Sequence, residues 1–179
     1  MFKAVRDSLL SLVYPKQCRA CDRAVESVDD GQACPSCWRE TRLFNGTEML
    51  CAKCGAYFGE SAAAIDVFCR RCDDHHYDRA VAGGVYERAI AASIASLKSV
   101  PVIPTRVAEL LISTWDRSGF ANTDLIIPVP LSDRRRIERG FNQAEVIGTI
   151  ISKRAGIPID CHSLVRKTHT PIHRKAMDQ

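Results

Sequence analysis

Eight of the nine cysteines fall into four Cys-x-x-Cys pairs: Cys18/Cys21, Cys34/Cys37, Cys51/Cys54 and Cys69/Cys72. A Cys-x-x-Cys turn points both sulfurs at one centre, and two such turns joined by a short connection complete a tetrahedral thiolate site. The connections are twelve residues between Cys21 and Cys34 and fourteen between Cys54 and Cys69. The chemistry expected is the binding of two structural Zn²⁺ ions. Pairing in chain order is the simplest topology, and an interleaved pairing uses the same residues. A disulfide framework needs an oxidising compartment, to which nothing in the sequence directs the chain, and a redox motif would be single. His75 and His76 follow Cys72 and are alternative ligands, but eight cysteines already complete two sites. Cys161 stands alone and reads as a small buried hydrophobe. Zinc ribbons bind nucleic acid, bind proteins or brace a neighbouring domain, so the cysteines alone name no function.

A second chemistry sits in Pro128 to Gln143, where an arginine-rich loop follows the apolar run Leu125–Val129. Such a run suits a strand buried on both faces of a parallel sheet. A helix is expected from near Asn142 to near Gly156, with Ala144, Ile147 and Ile151 on one stripe. In open α/β sheets ligands bind at the carboxyl ends of strands, and a helix start offers free N–H groups. Arg135 and Arg139 add charge-assisted donors, and Gly140 lets the backbone approach closely. A phosphate or pyrophosphate site and a solvated basic loop both fit these residues. From Asp133 onward ten Lys and Arg face five Asp and Glu, a net of +5; the chain totals +4, so the preceding part nets −1. A basic C-terminal third suits phosphate-bearing partners.

The elements that must position these residues read as follows. Residues 1–14 form a helix whose stripe is Phe2, Val5, Leu9, Leu12 and Val13, and which docks on the protein itself. Residues 15–78 are the β-rich zinc module, and 79–179 are an α/β domain. In the latter, Ala80–Val85 reads as a strand and Tyr86–Lys98 as a helix burying Ile90, Ile94 and Leu97. A second helix runs from Arg106 to about Asp116 with Thr105 as its N-cap. Ile157–Cys161 reads as another strand, and Arg166–Lys175 as a basic, mobile segment. At 46% hydrophobic and 26% charged the composition is neither disordered nor collagen-like. No secretion signal and no membrane-spanning run is legible, so a cytoplasmic location is expected.

The four cysteine pairs, the Tyr86–Lys98 helix, Ile-Pro-Val-Pro-Leu ending at Leu131 and Arg139-Gly140-Phe141-Asn142-Gln143 resemble the ComF (competence protein F) family, from about Tyr14 to Thr170. The resemblance implies a double zinc ribbon followed by a type I phosphoribosyltransferase-like α/β domain. It implies that the loop from Pro130 to Asn142 matches the family's pyrophosphate loop, with Arg135, Arg139, Gly140, Asn142 and Gln143 as phosphate- or substrate-binding residues. The tail around Arg166 and Thr168 looks like the family's flexible loop. Two features depart from the pattern. His173 stands where the family commonly has Gln. The strand with two acidic residues and a Thr-Thr-Gly-x-Thr loop, which holds ribose phosphate in such transferases, is missing.

The expectation is therefore an accessory protein of DNA uptake in natural transformation, contacting single-stranded DNA or proteins of the competence machinery. The alternatives are a phosphoribosyltransferase using phosphoribosyl pyrophosphate or a nucleotide, and a truncated family member whose zinc module alone is well folded. Mg²⁺ would enter only if the transferase site were completed, and as a 179-residue chain the protein is expected to be inactive as an enzyme. No catalytic acid, base or nucleophile is assigned.

Overall fold

The computed structural model describes residues 16–60 and 66–168. The expected N-terminal helix of residues 1–14 and the tail from His169 lie outside them. The chain divides into two compact units, Met1–Asn122 and Thr123–Gln179.

The first unit begins with two small ribbons. β1 (Lys16–Gln17) pairs antiparallel with β2 (Ala24–Val25), Lys16 opposite Val25 and Gln17 opposite Ala24. Between them the chain turns tightly: Asp22 N–H donates to the Cys18 carbonyl at 2.8 Å, and Asp22 adopts φ 61°. Aspartate is one of the few residues other than glycine that tolerate this left-handed geometry. α1 (Pro35–Arg39) starts directly after Cys34, with Pro35 at the first helical position, where its missing N–H costs nothing. β3 (Met49–Leu50) pairs antiparallel with β4 (Tyr57–Gly59), with a register irregularity between Met49 and Leu50.

Two helices pack on this base. α2 (Arg88–Ser96) and α3 (Thr105–Arg117) bring Ala89, Ala92 and Val107 into one buried cluster with Cys18, Val25, Ala33, Cys34, Cys37 and Trp38. The expected helix 86–98 is shorter, and its inward face is only partly the expected one: Leu97 is buried and Ile90 half-buried as that stripe requires, but Ile94 is not. Ala89, Ala92, Ser93, Ser96 and Leu97 are buried, whereas Ile94 is exposed. Small side chains let the helix backbone lie close to the cysteine turns, which a stripe of isoleucines would hold away. Thr105 is not the N-cap of α3. Pro104 occupies that position, and the Thr105 hydroxyl donates to Asp29 Oδ1 at 2.8 Å. The expected strand over Ala80–Val85 reduces to one antiparallel bridge between Leu43 and Gly84, flanked by Phe44 N–H to Gly83 carbonyl and Val85 N–H to Arg42 carbonyl bonds. The adjacent Gly83 and Gly84 bring no side chain to a ladder.

In the second unit Ile126 and Ile159 form one parallel bridge, with Ile126 N–H to Pro158 carbonyl and Asp160 N–H to Ile126 carbonyl both at 2.9 Å. The chain between them holds α4 (Asp133–Arg139) and α5 (Gln143–Ala155). The two expected strands are thus a single bridge, for a local reason. Ile126 turns both backbone groups toward the neighbouring chain, the next residue on that edge is Pro128, and proline has no N–H to donate. Nor is the run buried on both faces. Ile126 and Pro128 lie toward α5, where a Cβ on Gly148 would fall 2.9 Å from Ile159 Cδ1 and 3.5 Å from Ile126 Cγ2. Leu125, Ile127 and Val129 are exposed.

The close fit of α3 to the first ribbon rests on Gly31, which has φ 72° and would place a Cβ 2.3 Å from Pro104 Cγ. Left-handed geometry costs an alanine about 1–2 kcal/mol and overpacking typically ~1–3 more. Gly31→Ala is therefore expected to destabilise the first unit by about 2–4 kcal/mol in thermal denaturation. A change under about 0.5 kcal/mol, within the usual surface range, would show that this approach is not needed.

Candidate metal centres

Cysteine pairing in the structure is sequential. Cys18, Cys21, Cys34 and Cys37 converge in one tetrad and Cys51, Cys54, Cys69 and Cys72 in another, the four sulfurs of each lying within 4.8 Å of one another. In the first, Cys18 and Cys37 Sγ are 3.7 Å apart and Cys21 and Cys34 Sγ 3.5 Å. In the second, the Cys51–Cys72, Cys54–Cys69 and Cys69–Cys72 separations are 3.5, 3.6 and 3.3 Å. Disulfide sulfurs would be about 2.05 Å apart, whereas a tetrahedron of Zn–S bonds of about 2.3 Å spaces its sulfurs by roughly 3.8 Å. All nine cysteines are free thiols, and the two tetrads fit two zinc ions.

Local backbone geometry builds each tetrad. In the first, Ala20 N–H points at Cys18 Sγ at 3.5 Å, and Trp38 N–H closes the second turn on the Cys34 carbonyl at 3.1 Å. In the second, Gly55 N–H donates to the Cys51 carbonyl at 2.9 Å and Cys69 N–H points at Cys51 Sγ at 3.3 Å. Gly55 adopts φ 71° with Ala82 N only 3.3 Å from where a Cβ would sit. The second tetrad is also joined through Cys51 and Val67, a parallel bridge, and through Lys53 Nζ, which donates to the Cys72 and His75 carbonyls at 3.2 and 2.8 Å.

With no cation between the sulfurs, electrostatics would split each tetrad in the same way. Burial pushes the Cys18 thiol up, but the amides of Cys34, Ala20 and Cys21 outweigh it and bring it down to about 6. Burial likewise acts against Cys51, and the amides of Cys54, Cys69 and Lys53 bring it down to about 6. Cys37 and Cys72 go the other way, raised by burial and by the thiols around them. Sulfurs this close cannot all ionise without a cation between them, which is the charge a divalent metal supplies.

His75 and His76 belong to neither tetrad; the His75 ring stacks on Tyr77 at 5.0 Å. Cys161 is half-buried in the second unit, its thiol raised by burial. Supporting residues escaped the sequence reading. Thr41 Oγ1 donates to the Cys37 carbonyl at 2.6 Å and accepts Ala89 N–H at 3.1 Å, joining the first tetrad to the start of α2. Its spacing of four from Cys37 was the available signal. Trp38 Nε1 donates to the Asp30 carbonyl at 3.0 Å, while Arg106 pairs with Asp30 at 2.8 Å and lies 4.9 Å over the Trp38 ring. These partners are distant in sequence and left no periodic mark.

The residues singled out in the arginine-rich segment cluster at the turn between α4 and α5. The segment is not a plain loop, because Asp133–Arg139 is helical. Arg135 and Arg139 stand one helical turn apart on the same side of α4. Arg139 Nη1 donates to Gln143 Oε1 at 2.9 Å. Gly140 ends α4 at φ 73° with open space where a Cβ would be. Asn142 is buried as the N-cap of α5: its Oδ1 accepts Ala144 N–H at 3.0 Å and its Nδ2 donates to the Val129 carbonyl at 3.0 Å. Glu145, in the first turn of α5, pairs with Arg136 at 2.9 Å, so the positive end of that helix already faces a carboxylate.

Residues 9–73 match the double zinc ribbon family. No curated protein and no solved structure matches the chain. The N-terminal part is a double zinc ribbon with two four-cysteine sites. No helix among the described residues is long and apolar enough to cross a membrane.

Elemental analysis of the purified chain is expected to give two zinc ions. Each structural site contributes roughly 10–16 kcal/mol of apparent binding free energy, so strong chelation should melt the ribbons. Because the first tetrad lies in the same cluster as α2 and α3, Cys34→Ser should lose one zinc and much of the helical signal at 222 nm. Full retention of that signal by the zinc-depleted variant would contradict the shared core.

Proposed function

We propose that this chain is a ComF-like binding protein, in which a zinc-braced first unit accompanies a phosphate-binding, phosphoribosyltransferase-like second unit. The observation that carries the reading is the parallel pairing of Ile126 with Ile159 across α5. Parallel neighbours need a crossover connection, and a strand–helix–strand unit has its binding end where the first strand stops. That end leads through Val129 and Pro130 into the turn that carries Arg135, Arg139, Gly140, Asn142 and Gln143. The ligand class supported is a phosphate or pyrophosphate group, on a nucleotide, on phosphoribosyl pyrophosphate or along single-stranded DNA. Arg135 lies on the face of α4 shared with Arg139 and makes no ion pair among the described residues. Gly140 leaves space for an oxygen to approach the backbone.

Binding is favoured over transfer. Residues 123–179 carry no acidic pair followed by a Thr-Thr-Gly loop, so these residues by themselves supply an anion site and not a hold for a ribose diol and its metal. A role in DNA uptake, with single-stranded DNA and competence proteins as partners, rests on the resemblance together with the C-terminal net charge of +5. A cytoplasmic site of action goes with that reading.

Calorimetry with inorganic pyrophosphate tests the site. Arg139→Ala should weaken binding about tenfold, the loss of about 1.4 kcal/mol of charge-assisted contact. Glu145→Gln should strengthen it several-fold, because it removes the carboxylate that faces the start of α5. Oligothymidylate should bind with an affinity that falls more than about tenfold between 50 and 200 mM salt. Equal pyrophosphate affinity in all three proteins would refute the site. Tight, Mg²⁺-dependent binding of phosphoribosyl pyrophosphate with turnover would favour the transferase instead.

A further inference from the structure

The two tetrads are not equivalent. Three cysteines of the first are buried, Cys18 at 0%, Cys34 at 2% and Cys37 at 2% exposure, and they share a core with Trp38, Ala89, Ala92 and Val107. Its remaining ligand, Cys21, is half-buried, but Cys34, its neighbour at 3.5 Å, is out of reach of solvent. Among the described residues the second tetrad belongs to no such cluster. Cys51 and Cys72 are buried, while Cys54 and Cys69 are both half-buried and their sulfurs lie 3.6 Å apart. The residues beside Cys69 and Cys72, Phe68, Arg70, Arg71, Asp73 and Asp74, are all exposed.

We propose that Cys54 and Cys69 are a peroxide-oxidisable pair, and that their conversion to a disulfide expels the second zinc ion while the first tetrad stays intact. Attack on a peroxide requires a thiolate open to solvent, and completing the disulfide requires a second thiolate within reach. Among the described tetrad residues, the second site alone pairs two half-buried cysteines across the two turns, their sulfurs 3.6 Å apart.

The chemistry balances with hydrogen peroxide as the named oxidant. One thiolate attacks a peroxide oxygen, the O–O bond breaks, and a sulfenic acid forms with release of hydroxide. The second thiolate attacks that sulfur, the S–S bond forms and a second hydroxide leaves. Two thiolates lose two electrons, hydrogen peroxide gains them, and two protons from solvent convert the hydroxides to two waters. The sulfurs need to close from 3.6 Å to about 2.05 Å, and zinc left with two thiolates dissociates.

The test uses the full-length zinc-loaded chain, a moderate excess of hydrogen peroxide and a metallochromic dye that reports free zinc. One equivalent of zinc should leave at least roughly tenfold faster than the other, as accessibility governs thiolate oxidation. Trapping with iodoacetamide at the end of the fast phase, followed by peptide mapping, should show Cys54 linked to Cys69. Cys18, Cys21, Cys34 and Cys37 should be recovered reduced, with the helical signal at 222 nm retained. Dithiothreitol and zinc should then restore both sites. Simultaneous loss of both ions, a first-phase linkage involving Cys21, or a Cys69–Cys72 linkage would each overturn the proposal. The mapping is done on the wild-type chain, so the answer does not depend on whether a cysteine variant folds.

Discussion

Convergence of Cys18, Cys21, Cys34 and Cys37 on one point is the constraint from which the first unit is built. Ribbons with strands of two or three residues have no core of their own, and short isolated hairpins are marginal in water. A metal-bound tetrad replaces the missing core with a few strong directional bonds. Once the turn at Cys34–Cys37 is fixed, Trp38 lies inside, and Thr41 presents its hydroxyl to the first turn of α2. Asp30 is then placed to meet Arg106 from α3. A chain of contacts thus runs from sulfur ligands to helix positions, and the alanines of α2 are the consequence of how closely that helix must approach.

The second tetrad uses the same chemistry in a different setting. It is tied down mainly by backbone hydrogen bonds, by Lys53 reaching two carbonyls and by the stack of Phe44 on Tyr57 at 5.6 Å. Arg42 adds a paired contact to Glu87 at 2.9 Å, which holds the Glu87 carboxyl down at about 2. Arg42 is half exposed, so its contribution to stability is the modest one of a surface pair. Two sites with one ligand set therefore differ in what lies around them, and that surrounding sets how each exchanges metal or meets an oxidant.

The second unit, Thr123–Gln179, has no cysteine tetrad among its described residues. Its only strand pairing among the described residues is the Ile126–Ile159 bridge. No leucine, isoleucine or valine from Thr123 to Thr168 is fully buried. Pro128 stops the ladder on one edge, and one face of the Leu125–Val129 run meets α5 while the other does not. What order the unit has comes from helix ends. Asn142 caps α5 and holds the Val129 carbonyl, and Gly140 and Gly156 end their helices in left-handed geometry.

The sequence alone determined the eight ligands, because tetrahedral thiolate chemistry leaves a spacing signature that no packing can hide. It also determined α3 and α5 to within a residue or two, since helix period, the Asn142 cap and the Gly156 stop are local. Beyond that reach lay the sequential pairing of cysteines, which depends on where turns meet in space. Part of the inward face of α2 was equally out of reach, because hydrophobic periodicity favoured Ile94 while close approach to the cysteine turns required alanine. The strands at Ala80–Val85 and Leu125–Val129 looked sound by composition, and shrank to single bridges because ladders need a donor at every second residue and a partner with a side chain to pack. Tertiary structure alone decided which zinc site is enclosed and which is open, for burial is a property of what folds over a residue and not of the residue itself.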